Sequence, residues 1–142
     1  SLNEVVPLAV ENLTPLCSPQ IAEQIRSPQD LYQHTLIQCE VQMLQWKGWF
    51  EANHLFAPHH YALRFDRSAM AISAAVNGMG VVLESTLLAE GELNSGALVA
   101  PLRSVTHEIQ YIGHYLVYPK RRTRHEASEV FKKWLLDEIG VR

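Results

Sequence analysis

Cysteine is scarce in this chain: Cys17 and Cys39 are the two among 142 residues. That is too few for a disulfide scaffold, so a reducing, cytoplasmic setting is expected. Long apolar runs are missing as well. No stretch reaches the length of a membrane span, and the opening SLNEVVPLAVENL carries acids where a signal peptide carries basic residues. No membrane partner is expected. Positive charge is not in excess either. Twelve Lys and Arg stand against 15 Asp and Glu, a formal net charge of −3, which leaves no electrostatic footprint for DNA or RNA on this piece. Internal repeats and low-complexity linkers are also absent. What is there, 47% hydrophobic and 19% charged, is globular material long enough for a real core.

The order of elements predicts an α/β fold. NLTPLCS (12–18) reads as a short apolar strand, and SPQIAEQI then starts a helix with Ser18 as cap and Pro19 in the first turn. SPQDLYQ (27–33) repeats the Ser-Pro start as a single turn, and HTLIQCE (34–40) reads as a buried strand. A helix over 42–55 would show Trp46, Trp49 and Phe50 on one face. Strand YALRF (61–65) leads to a helix capped by Asp66 or Ser68 and running to about Val76. Strand VVLE (81–84), a short helix TLLAEGEL, strand ALVAPL (97–102) and strand YIGHYLVYP (111–119) follow. The last helix is the clearest, with Ala127, Val130, Phe131, Trp134, Leu135 and Ile139 at helical spacing.

This order settles the glycines of NGMGVV (77–82). A dinucleotide fingerprint needs strand, glycine turn, then helix, so that the helix N-terminus faces the pyrophosphate. Here the order is helix, glycines, strand. The macrodipole is negative at that end, so Gly78 is expected to stop the helix in a left-handed conformation, and Gly80 to relieve close packing. The opposite end, RFDRS, offers free N–H groups with Arg67 and Ser68. Ligands of open α/β sheets collect at such strand-to-helix turns, so an anion or carboxylate site is one reading and a plain cap the other.

Other chemistry-bearing residues read blandly. His54, His59 and His60 near Glu51 are metal-ligand types, but ANHLFAPHHYA looks like a loop and fits no zinc spacing; no metal or cofactor is expected. Cys17, in a buried strand, is a small hydrophobe rather than a nucleophile, and Cys39 with a histidine fares no better. Lys120, Arg121, Arg122 and Arg124 read as a solvated turn, and Trp46, Trp49 and Trp134 as packing residues.

In sequence order, LTPLCSPQIA, SPQDL with HTLIQ, WKGWFEA, RFDRSAMAISAAVNGMGVVL, ELNSGALVAPL, HYLVYPKRR and VFKKWLLDE resemble the effector-binding domain of LysR-type transcriptional regulators. The wording is closest to the branch that holds the glycine-cleavage activator and the ampicillinase (β-lactamase) regulator. The resemblance implies a periplasmic-binding-protein-like domain, with residues 1–17 ending subdomain I and crossing to the next, 18–100 forming an intact subdomain II, and 101–142 returning to subdomain I. It implies that DNA is bound only through an N-terminal winged helix-turn-helix, which these residues do not include, so the chain reads as a truncated piece or proteolytic remnant. The face bearing Phe131 and Trp134, short of its subdomain I partners, would be covered by a second copy, giving a homo-oligomer (dimer or tetramer).

The resemblance further implies an unidentified small-molecule effector in a cleft between subdomains, acting by population shift without catalytic residues. Its candidate contacts are Ser18, Gln38, Glu40, Phe65, Asp66, Arg67, Ser68, His114 and Tyr115. Ser68 matches an effector-contacting serine of the ampicillinase regulator, and either His114 or Tyr115 matches a tyrosine of its last strand. A solute-binding lobe of a periplasmic transport protein shares this architecture and is the alternative.

Overall fold

The computed structural model describes residues 3–42, 44–106 and 109–119, with side chains described over 12–42, 44–106 and at Ile109. Backbone packing divides the chain into a central unit, Asn12–Ile109, and a second unit drawn from the residues before and after it. The end of β1 belongs to the central unit because Leu13 to Leu16 lie antiparallel to Ser85 to Val82.

The elements are β1 (Asn3–Leu16), α1 (Pro19–Ala22), a 3₁₀ turn (Pro28–Gln33), β2 (Leu36–Cys39), α2 (Trp46–Ala52), β3 (Leu63–Phe65), α3 (Ser68–Val76), β4 (Val81–Ser85), α4 (Glu90–Ser95) and β5 (Ile109–Pro119). The strand order is β3-β2-β4-β1-β5. Within the central unit β2 runs parallel to β3 and to β4, while β1 is antiparallel to β4. In the second unit the described residues are the first part of β1 and β5 from residue 110.

Alternation along the strands sends two different cores to the two faces. On one face Leu16, Ile37, Cys39 and Val82 pack with Ala71, Ile72, Ala74 and Ala75 of α3. Small alanines let this helix approach the sheet closely. On the other face Trp46, Trp49 and Phe50 of α2 are fully buried, with ring centroids 5.3–5.7 Å apart. Tyr32 stacks on Phe50 at 5.3 Å, and the Trp46 indole N–H donates to the Ile37 carbonyl at 2.9 Å. The aromatic face of α2 is therefore core, as its spacing predicts.

Both long helices end in the same motif. After α3, Gly78 has φ 75°, Met79 N–H reaches the Ala74 carbonyl and Gly78 N–H that of Ala75. After α2, His54 takes the left-handed place with φ 60°, while Leu55 and His54 N–H groups reach the Phe50 and Glu51 carbonyls. A Cβ on Gly80 would collide with the Thr35 carbonyl, which accepts the Val81 N–H at 2.9 Å. Both glycine expectations hold.

Several element boundaries differ from the sequence expectation. Helix α2 starts at Trp46 rather than at residue 42, and the Gln45 side chain just before it bonds back to the Glu40 and Gln42 carbonyls. Helix α1 is one turn long. Arg67, not Asp66 or Ser68, occupies the N-cap position of α3, and no side chain caps that end. ALVAPL is not a strand: Val99 forms a single bridge with Cys17, and Pro101, lacking an N–H, cannot extend it.

Candidate functional site

Because β2, β3 and β4 are parallel, their carboxyl ends (Cys39, Phe65 and Ser85) lie on one edge of the sheet. The chain leaving β3 turns there directly into α3, so the first turn of that helix sits over the same edge. Its first residue, Ser68, does not cap its own helix. The hydroxyl turns inward instead: Gln42 Nε2 stands 3.3 Å from Ser68 Oγ, and Cys39 Sγ 3.7 Å from it.

Gln42 has a second anchor. Its Nε2 also donates to Glu84 Oε1, and that same oxygen accepts the Ser85 N–H at 2.9 Å. Gln42 is 7% exposed and Glu84 fully buried. A buried carboxylate is costly unless hydrogen-bonded, so these donors hold the acid in place. The result is a polar chain, Glu84–Gln42–Ser68, leading from the core of the sheet to a half-buried serine. Ser68 opens onto a shallow depression of about 390 Å³ shared with Ala69, Ile72, Ser73, Val76, Leu88 and Glu92.

The sequence-predicted residues separate into groups around this edge. Phe65 is half-buried and packs on the core cluster, whereas Asp66 and Arg67 are exposed beside the start of α3. Glu40 is on the rim, paired with Arg64 at 3.0 Å in an exposed salt bridge. Gln38 is buried on the opposite face of β2, donating to Gln45 at 3.1 Å and accepting from Trp46 N–H at 3.4 Å. It borders a second depression of about 490 Å³, with Lys47, Glu51, His59 and Tyr61 among its walls.

Ser18 stands apart. The antiparallel register puts Leu16 opposite Val82, at the start of β4, so Ser18 lies beyond the edge opposite to Ser68. It is buried, with its Oγ 4.0 Å from the position a Gly78 Cβ would take. The structure therefore does not bring Ser18 together with Ser68. His114 and Tyr115 belong to β5, but their side chains lie outside the described residues, as do the basic run 120–124 and the final helix.

His54 is the left-handed end of α2, and among the described residues no group of three His, Cys, Asp or Glu is placed to hold a metal ion. Burial pushes the Cys17 thiol from 9.0 up to about 12, so it stays protonated at neutral pH. No helix among the described residues is long and apolar enough to cross a membrane.

Two residues of the polar chain escape a sequence reading. Glu84, an acid inside the apolar run VVLES, carries a signal: a charge at a buried strand position needs a partner. Gln42 carries none, since its partners lie 26 and 42 residues away.

A family model described as the LysR substrate binding domain matches residues 2–140. The chain belongs to this family. The HTH-type transcriptional regulator PerR of Escherichia coli (strain K12) is 64% identical over 138 residues, which is 97% of this chain and 46% of PerR. The glycine cleavage system transcriptional activator of the same strain is 29% identical over 143 residues, 96% of this chain and 45% of the activator. Among solved structures, the effector domain of the transcriptional regulator AmpR of Pseudomonas aeruginosa superposes with a TM-score of 0.75 at 31% identity, covering 99% of this chain and 67% of that one. The fold is thus that of LysR effector domains, on the branch its motifs imply. The chain spans about half the length of the curated relatives it matches. These relatives are transcriptional regulators, and nothing in them favours the transport-lobe alternative.

Proposed function

We propose that this chain is the effector-sensing part of a LysR-type transcriptional regulator, acting in the cytoplasm within a homo-oligomer and passing effector occupancy to a DNA-binding segment elsewhere in the protein. The observation that carries this reading is the family match across residues 2–140. The effector is a small molecule, and the edge formed by the ends of β2, β3 and β4 is where the central unit meets it. Ser68 is its principal contact, with Arg67 and the uncapped first turn of α3 beside it. In this reading the central unit corresponds to subdomain II and the second unit to subdomain I.

The work done is binding, not bond-making. Occupancy can shift the regulator between two states only by as much as the effector prefers one of them; moving it from 1:99 to 99:1 takes about a 10⁴-fold preference. Amino acids, nucleobases and cell-wall fragments are the effector classes to screen. Thermal-shift screening of the full-length protein against these sets tests the proposal, since a ligand that binds the folded state raises its stability. The expected result is a stabilising compound whose effect disappears in Ser68→Ala. A compound that stabilises both forms equally removes Ser68 from the site, and turnover of a compound by the purified protein overturns the non-enzymatic reading.

A further inference from the structure

The direction of the hydrogen bonds around Ser68 carries more than its position. Glu84 Oε1 already accepts the Ser85 N–H at 2.9 Å. The end of the Gln42 amide that faces this oxygen must therefore be its NH₂, because a carboxylate oxygen in that role only accepts. The same nitrogen lies 3.3 Å from Ser68 Oγ. An amide nitrogen has two hydrogens and no acceptor capacity, so Ser68 Oγ must accept from Gln42.

That leaves the Ser68 hydroxyl hydrogen. Its remaining close neighbour in this network is Cys39 Sγ at 3.7 Å, a weak acceptor, and if the thiol is the donor the hydroxyl hydrogen is freer still. Either way, the hydrogen is available to a group in the depression that Ser68 lines. A serine in water donates and accepts with equal ease; this one has its accepting side taken.

We propose that Gln42 is a positioning residue which, held by Glu84, fixes Ser68 as a hydrogen-bond donor, so that the site selects an effector presenting an acceptor such as a carboxylate. This rests on the reading of Ser68 as an effector contact. Gln42 does not touch the effector. It sets the sign of the group that does, and the exposed Arg67 and the uncapped first turn of α3 present further donors to the same acceptor.

The test uses two small probes of one shape and opposite polarity: acetate, which only accepts, and acetamidinium, which only donates. Binding to the 142-residue chain is followed by the amide shifts of Ser68 and Ala69 in ¹H–¹⁵N spectra. Acetate is expected to saturate and to bind at least about fivefold more tightly than acetamidinium, since the directed Ser68 hydrogen, Arg67 and the first turn of α3 all favour an acceptor. Ser68→Ala should abolish the acetate response. Gln42→Met, similar in length and without a donor, should lower the acetate-to-acetamidinium ratio at least about threefold, leaving the share due to Arg67 and the first turn of α3.

The outcomes separate the two claims. Loss of acetate binding in Ser68→Ala with an unchanged probe ratio in Gln42→Met overturns the positioning role and leaves the site intact. No saturable acetate response, or one indifferent to Ser68→Ala, overturns the site and the inference together. Should Gln42→Met fail to fold, the Gln42 side-chain amide decides. One of its two proton resonances should move in Ser68→Ala, and if neither moves the bond to Ser68 does not exist.

Discussion

The two edges of the central sheet are built from similar residues and differ in what those residues are free to do. At the carboxyl ends of β2, β3 and β4, a half-buried serine sits over a buried acid and opens onto a depression. At the opposite edge a serine is also present, Ser18, but it is buried beside Gly78, while Gly80 lies against the Thr35 carbonyl. One edge spends its polar groups on a network with an outward end; the other spends its geometry on close packing. A serine next to a helix end is therefore not informative by itself. The direction of the helix and of the strand decides.

The contrast is sharpest at Gly80. Replacing it with alanine forces a Cβ against backbone that cannot rotate away, so a loss of about 1–3 kcal/mol is expected by chemical denaturation. A neutral Gly80→Ala would mean that this edge is looser than its packing implies. Gly78→Ala comes next, at about 1–2 kcal/mol, for the cost of a side chain in the left-handed region. His54→Gly, at the equivalent place after α2, should move melting temperature the opposite way or leave it unchanged.

Cys17, bridged to Val99 near the packed edge, gives a pH signature. Burial raises its thiol from 9.0 to about 12, so the folded chain keeps a proton that the unfolded chain loses. Stability should be flat in this respect below pH 9 and fall as pH rises from 9 towards 12. Burial raises the Tyr61 hydroxyl too, which adds to the fall above its ordinary 10.0. Cys17→Ala should flatten the first part of that decline in pH-dependent melting, and an unaltered slope would show that the thiol does not contribute. The smallest effect belongs to the open edge. Arg64 and Glu40 form an exposed pair, and Arg64→Met should change stability by less than about 1 kcal/mol.

Much of this was legible in the sequence, for identifiable reasons. Buried runs such as LIQC and VVLES reveal β2 and β4, and the aromatic spacing of Trp46, Trp49 and Phe50 reveals the buried face of α2. The order of helix, glycines and strand gives the helix stop at Gly78. What the sequence did not show depended on side-chain contacts and strand pairing that local periodicity does not register. Helix α2 starts late, with the Gln45 side chain just before it bonded back to the Glu40 and Gln42 carbonyls. The position of Ser18 at the edge away from Ser68 comes from the antiparallel course of β1, a matter of pairing with β4 some seventy residues on. Gln42 was missed because nothing local marks a loop glutamine that reaches both Glu84 and Ser68.

The most direct test of the account is the dissociation constant of a stabilising effector for the full-length protein, measured by calorimetry in Ser68→Ala and in Ser18→Ala. At least about fivefold weaker binding is expected in Ser68→Ala, the worth of one directed hydrogen bond, and a change within about twofold in Ser18→Ala. Equal losses in the two variants, or a loss confined to Ser18→Ala, would contradict it.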